Sequence, residues 1–210
     1  MNNPPSVLFV LPWSLSEAGG GNQVVTHLAR EAARHERLRP IIFCVDPLQE
    51  SFQEEESDGI KLISGSLGTP LSSEHPGRKL ATFAHKLRDE KRIWRDLLRQ
   101  HNVKVVNAHY PGLSYFVFAL LPLRKAKIRL IFSLHGSDLD GIEQAGAATR
   151  PLVRWMFKKA DSIVCCSGDL AKRVQEKLKL DEHRVQIVHN GIDIAELNHA
   201  KKHDYRPDIG

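Results

Sequence analysis

The run IRLIFSLHGSD, residues 128–138, decides the fold. Its first part, Ile128–Leu134, is almost continuously apolar and stops abruptly at His135-Gly136-Ser137-Asp138. It lacks the strict alternation of a half-solvated strand, so it reads as a strand covered on both faces, as in a parallel sheet. The same grammar recurs along the chain. Val7–Leu11 leads to a loop ending Gly19-Gly20-Gly21, and Val105–Val106 leads to His109-Tyr110-Pro111. Ile163–Cys166 opens onto Ser167-Gly168-Asp169, and Val185–Val188 opens onto His189-Asn190-Gly191. Ligands of open parallel sheets bind outside the carboxyl ends of the strands, so these clusters point to one shared cleft.

Working outward, the strand-like runs are Val7–Leu11, Pro40–Val45, Ile60–Ile63, Lys104–Ala108, Ile128–Leu134, Ser162–Cys166 and Arg184–Val188. Helical stripes lie between them. Val24, Val25, Leu28, Ala29, Ala32 and Ala33 form one; Leu80, Phe83, Leu87, Trp94 and Leu98 form another on a long basic helix. Leu170, Val174 and Leu178 recur every fourth residue on a third. Strand–helix alternation predicts an α/β fold: a Rossmann-like, doubly wound, mainly parallel seven-stranded sheet with helices on both faces. The acidic stretch Asp46–Gly59, with Glu54-Glu55-Glu56, reads as a solvated loop. Residues 1–195 are expected to form the domain, and 196–210, aperiodic and carrying Pro207, a linker toward an absent further domain.

Composition narrows the classes. Charged residues make up 26% and apolar residues 41% of 210, the balance of a folded globular protein and not of a disordered one. The net charge of +5 suits acidic partners, but Lys and Arg are scattered among Asp and Glu, so no nucleic-acid partner is expected. Three cysteines, two of them adjacent in a strand-like run, make neither a disulfide framework nor a C-x-x-C zinc pair. They read as reduced core residues of a cytoplasmic protein. The start Met1-Asn2-Asn3-Pro4-Pro5 lacks the basic opening of a signal peptide, and the longest apolar stretch, Leu113–Leu123, is too short to span a bilayer.

Two features carry chemistry. Gly19-Gly20-Gly21-Asn22 stands directly before a helix that starts near Gln23. Glycines there let a ligand approach the backbone, and the free amides with the helix dipole attract an anion. The turn is no P-loop, since no Gly-Lys-Ser/Thr follows. It also departs from the dinucleotide fingerprint: Val24 replaces the third glycine, and Pro12–Ala18 separates strand from glycines. By itself it reads equally as a turn or as a phosphate cradle. Among eleven histidines, His109, His135 and His189 each sit at or just past a strand end. A lone histidine is usually structural; three converging ones mark a site. Three imidazoles could fill a catalytic zinc shell, but none of these belongs to an H-x-x-x-H or H-E-x-x-H pair, so no metal is expected. Asp138 could orient an imidazole or accept a sugar hydroxyl, or, with Ser137, simply start the turn.

In order, these motifs form a set: Pro12 with Gly19-Gly20-Gly21, Asn107-Ala108-His109, Ser133-Leu134-His135-Gly136, Ala160–Ser167, and Ile187-Val188-His189-Asn190-Gly191-Ile192-Asp193. The set resembles the N-terminal domain of retaining, nucleotide-sugar-dependent glycosyltransferases of family 4, which have the GT-B fold. The likeness runs from Val7 to about Asp193. It implies the acceptor-side half of an enzyme that moves a sugar from a nucleoside diphosphate to an acceptor hydroxyl. It makes His135 the catalytic residue, beside the reacting sugar through its carbonyl or its ring. Gly19, Gly20, Gly21, Asn22, His109, Gly136, Ser137 and Asp138 become substrate-binding residues, and Asn190, Gly191 and Asp193 a hinge. The resemblance further implies a nucleoside-diphosphate sugar as co-substrate, no tightly bound cofactor and no metal. The partners are then a carbohydrate or lipid-linked acceptor and the missing C-terminal domain.

Departures accompany the likeness. No two glutamates stand eight positions apart, so the family's Glu-x7-Glu motif is missing. Asn22-Gln23 replaces the acidic residue expected after the glycines, and Ala33-Arg34-His35 replaces a glycine–histidine pair. This chain alone is therefore expected to be inactive. Peripheral contact with the inner face of a membrane is suggested by Trp155, Met156 and Phe157 lying among Arg150, Arg154, Lys158 and Lys159. A helix packed on the sheet with a solvated basic rim reads the same way. Two other classes stay open: a dinucleotide- or methyl-donor-dependent enzyme using Asp46, and a non-catalytic domain that binds a sugar phosphate or a protein.

Overall fold

The computed structural model describes residues 4–16, 19–35, 37–46, 49, 51–66, 79–144 and 149–191, except the side chains of 79–84 and 143–144. Asp193 and the expected linker 196–210 lie outside the described residues. The strands are β1 (Ser6–Leu11), β2 (Arg39–Val45), β3 (Gln53–Ser57), β4 (Ile60–Gly65), β5 (Val103–His109), β6 (Arg129–Leu134), β7 (Ser162–Cys165) and β8 (Val185–Ile187). The helices are α1 (Gly20–Arg34), α2 (Lys79–Gln100), α3 (Phe116–Leu120), α4 (Ser137–Gln144), α5 (Arg150–Lys159) and α6 (Gly168–Leu178).

The strands form one sheet in the order β3-β4-β2-β1-β5-β6-β7-β8. All neighbours pair in parallel except β3 and β4. The expected seven strands are eight. The missed one, β3, lies inside the stretch read as a loop, and all five of its residues are exposed. Its pairing comes from β4, since three glutamates have little strand preference of their own. The Glu54 carboxylate receives Lys61 Nζ at 2.7 Å and faces His101 Nε2 at 3.1 Å, which hold its carboxyl below the usual value. A short, acidic edge also discourages pairing with other chains.

Side chains alternate across the strands and divide the core. Leu8, Val10, Ile41 and Phe43 point into a large core with α2, α3, α5 and α6, centred on Trp94, whose ring lies 4.7 Å from those of both Phe43 and Phe118. Leu170, Val174 and Leu178 of α6 are buried there as their spacing predicts, and the Ser167 hydroxyl caps that helix by accepting the Leu170 amide at 3.2 Å. Trp94 and Leu98 of α2 are likewise buried, while the side chains of Leu80 and Phe83 lie outside the described residues. Val7, Phe9, Leu11, Ile42 and Cys44 point to the opposite face and pack with Val25 and Ala29 of α1. Helices thus occupy both faces, but unevenly: among the described residues α1 alone carries the smaller core. Val24 and Leu28 belong to its apolar stripe yet turn toward a cavity, Leu28 with 40% of its surface exposed.

All three cysteines are free thiols; burial pushes Cys44 up to about 11 and Cys165 up to about 12. Among the described residues, no helix is long and apolar enough to cross a membrane.

Candidate functional site

The chain leaves β1 for β2 and β4 on one side, then crosses back to β5 on the other. The gap above β1 and β5 is therefore the point where strand order reverses, where α/β sheets place their ligands. The glycine turn follows β1, His109 ends β5 and His135 follows β6. The glycine turn and the two imidazoles lie at the same edge of the sheet, and Tyr110 joins them, but Gly19–Asn22 and Gly136–Asp138 do not line the cavity between α1 and the ends of β6, β7 and β8. The Tyr110 ring stacks on His135 at 4.3 Å and 19°, and packs on Trp13 at 4.6 Å. Behind His135 lies His109, its ring 5.2 Å away and its Nδ1 3.0 Å from His135 Nε2. A Cβ added to Gly21 would fall 2.6 Å from Tyr110 Oη, so glycine is needed there for close packing.

The glycine turn divides into parts with different tasks. Gly19 and Gly20 are exposed, and added Cβ atoms would meet nothing. Gly21 and Asn22 are buried. The Asn22 side chain ties down the loop after β1: its Oδ1 accepts from Trp13 Nε1 at 2.8 Å, and its Nδ2 donates to the carbonyls of Ser14 and Leu15, both at 3.2 Å. Asn22 thus shapes the turn from inside, while Gly19 and Gly20 present exposed backbone without side chains at the start of α1.

The second loop is built around Gly136, whose φ of 124° favours glycine. Asp138 is occupied by backbone: its carboxylate accepts the amides of His135 at 3.1 Å, Gly136 at 2.8 Å and Leu139 at 3.1 Å. Burial raises its carboxyl above the usual value, against the lowering by those amides and by His135. Of the two readings open for Asp138, the turn-forming one describes its contacts. Ser137 is exposed at the start of α4. The His135 carbonyl accepts from the Cys166 thiol at 3.6 Å, and His189 Nδ1–H donates to the Cys166 carbonyl at 3.1 Å. The three strand-end histidines and the β7 end thereby form one connected rim.

Burial lowers His109 to about 3, the His135 ring adding to that shift, and burial also lowers His135, against the raising by the Asp138 carboxylate. Both rings are neutral at neutral pH. No group of three or more His, Cys, Asp or Glu among the described residues could hold a metal ion. The rim opens on a cavity of about 760 Å³ between α1 and the ends of β6, β7 and β8. His109, His135, His189, Asn190 and Gly191 line one side, and His27, Leu28 and Arg34 of α1 line the other. Two of the expected hinge residues therefore reach the cleft; the third, Asp193, lies outside the described residues.

Sequence reading missed Trp13, Tyr110 and the pair below them, in which Ser133 Oγ donates to Asn107 Oδ1 at 2.7 Å. A usable signal existed for the pair: two polar residues inside otherwise apolar parallel strands call for partners. Tyr110 is marked only by the folded backbone. It precedes a proline yet adopts φ 53°, a conformation costing about 1–3 kcal/mol that tends to mark functional sites.

Solved structures share this architecture. Sucrose-phosphate synthase from Thermosynechococcus elongatus matches with a TM-score of 0.61 at 14% identity, over 95% of this chain and 53% of that one. A glycosyltransferase from Rickettsia africae matches with 0.57 at 15%, over 99% and 52%. Anabaena HepE, in complex with UDP and glucose, matches with 0.53 at 12%, over 90% and 45%. The chain spans about half the length of these GT-B glycosyltransferases, and identities this low show the fold alone. No curated protein sequence matches. The family model for glycosyltransferase family 4 matches residues 18–196, most of the chain, and the protein belongs to that family.

Proposed function

We propose that this domain is the acceptor-side half of a retaining glycosyltransferase that transfers a sugar from a nucleoside diphosphate to an acceptor hydroxyl. The observation that carries the reading is the continuous stack Trp13–Tyr110–His135–His109, which seats a half-buried imidazole beside the open start of α1 at the strand-order reversal. Support also comes from the UDP and glucose bound by Anabaena HepE, which has the same fold.

Sugar transfer of this kind needs positioning and charge stabilisation more than a protein nucleophile. A neutral His135 hydrogen-bonds a sugar hydroxyl without a second cation at the forming oxocarbenium. The exposed glycine backbone at Gly19 and Gly20, at the start of α1, favours a negatively charged group, donor phosphate or acidic acceptor. His109, Gly21, Asn22, Gly136 and Asp138 hold these groups in place, and Ser137 borders them. Asn190 and Gly191 carry the chain toward the donor-binding half. The reaction asks for no metal and no tightly bound cofactor from this domain.

The test is turnover in a polypeptide that carries this domain with a donor-binding half. His135→Ala should lower kcat by roughly 10²–10³-fold with the fold intact, the loss typical of removing one transition-state donor. Unchanged turnover would remove His135 from the site.

We also propose peripheral membrane contact through α5. Of the apolar residues expected at a membrane, Met156 and Phe157 are buried in the core instead, and Trp155 is 37% exposed, with Lys159 Nζ 5.1 Å from the ring centre. Anionic vesicles should retain the chain at low salt and release it at high salt. Equal behaviour with neutral and anionic vesicles would dismiss the contact.

A further inference from the structure

His109 is 1% exposed, and its two ring nitrogens are unequal. Nδ1 lies 3.0 Å from His135 Nε2, whereas Nε2 is buried and has no hydrogen-bond partner among the described residues. Two neutral arrangements fit that distance. In one, His109 Nδ1–H donates to His135 Nε2, and the atom left over on His109 is a bare lone pair. In the other, His135 Nε2–H donates to His109 Nδ1, and His109 must carry its own proton on the buried, partnerless Nε2. Orphaned buried N–H groups are rarer in folded proteins than under-used acceptors, because an unpaired donor loses its full solvation. The first arrangement is therefore preferred.

We propose that His109 is a positioning residue that fixes the tautomer of His135, holding its proton on Nδ1 and occupying its Nε2 as an acceptor. Tyr110 completes the clamp by stacking on the His135 ring at 4.3 Å. Two other groups face the pair: Asp138, whose charge favours the imidazolium form of His135 against burial, and Cys166; both are also engaged by backbone. The Asp138 carboxylate accepts backbone amides, and the Cys166 thiol donates to the His135 carbonyl.

Protonating His135 on Nε2 would confront the His109 Nδ1–H, so it requires His109 to move its proton to the orphaned Nε2. That coupling opposes the imidazolium form in addition to burial, which already lowers both rings. The consequence for catalysis rests on the transferase reading: His135 offers substrate an N–H from Nδ1 and takes no proton through Nε2. The tautomer itself is independent of that reading and can be examined in this chain without ligand.

Histidine-selective ¹H–¹⁵N correlation spectra of the 15N-labelled chain, recorded from about pH 5 to 8, test the proposal. In the wild type, His135 should show a proton-bearing Nδ1 and a bare Nε2 throughout. In His109→Phe, which fills the space without a donor, His135 should revert to the Nε2–H form usual for solvated imidazole, and its midpoint should rise toward its ordinary value of 6.5. His109→Asn, whose carboxamide N–H can replace Nδ1–H, should restore the wild-type pattern. A wild-type His135 that carries its proton on Nε2, or titrates at its ordinary value, overturns the proposal whatever the variants do. So does a folded His109→Phe that keeps the Nδ1–H form. Failure of these spectra leaves the transfer assay untouched, and failure of transfer leaves the tautomer standing.

Discussion

The two faces of the sheet are built on different terms. One is closed by α2, α3, α5 and α6 over aromatic and branched side chains centred on Trp94. The other carries a small apolar core under α1 beside β1 and β2, and then, across β5 and β6, the polar set Asn107, His109 and Ser133. A parallel strand buried on both faces ordinarily excludes such residues. Here polar side chains pair between neighbouring strand ends, Ser133 with Asn107 and His135 with His109 Nδ1, leaving His109 Nε2 over, so one face gathers polar groups and the other apolar packing.

The largest expected effect lies on the closed face. Trp94→Ala should destabilise the fold by about 3–5 kcal/mol in urea unfolding, since it empties the centre of the aromatic cluster. A loss under 1 kcal/mol would mean that this face is not the stabilising one. The polar face should show itself in acid. His109 stays neutral in the fold down to about pH 3, whereas the unfolded chain takes up that proton near its ordinary 6.5. Stability is therefore full above that ordinary value and falls by about 1.4 kcal/mol per pH unit as pH drops through the window below it. His135, also lowered, adds in the same direction. His109→Phe should flatten the acid limb of stability against pH; an unchanged slope would locate the acid sensitivity elsewhere.

Smaller effects sharpen the contrast. Ser133→Ala should cost about 1–2 kcal/mol by leaving Asn107 unpaired, and adding Asn107→Leu should recover part of that loss, because removing both partners is cheaper than removing one. A double variant worse by the simple sum would show the two side chains acting separately. Within the glycine turn, Gly21→Ala should cost about 1–3 kcal/mol through its collision with Tyr110, while Gly19→Ala should stay within about 0.5 kcal/mol. Equal melting temperatures for these two variants would contradict the packing of Tyr110 on the turn.

The sequence reveals the parts of this arrangement that depend on local pattern. Continuous apolar runs mark the parallel strands because burial on both faces leaves no alternation. Residue types at strand ends mark the rim because the topology sends every such end to one side. The acidic strand β3 is hidden because its pairing is imposed by β4. The division of labour within Gly19–Asn22 is hidden too, since Gly21 answers to Tyr110 and Asn22 to Trp13, neither of which the turn's own spelling encodes. The role of Asp138 is decided by three amides whose directions only the folded loop supplies.

The central claim, that the glycine turn and the His109–His135 pair form one ligand-binding rim, is tested most directly by mapping this domain's backbone amide and imidazole signals, in a polypeptide that also carries a donor-binding half, during titration with UDP-glucose and with glycosyl phosphates. Shifts concentrated at Gly19–Gly21, Tyr110, His135 and His189, and absent at His85 and His101, are the expected result. Saturable binding that leaves those rim signals unmoved, or moves them only together with the remote histidines, would contradict it.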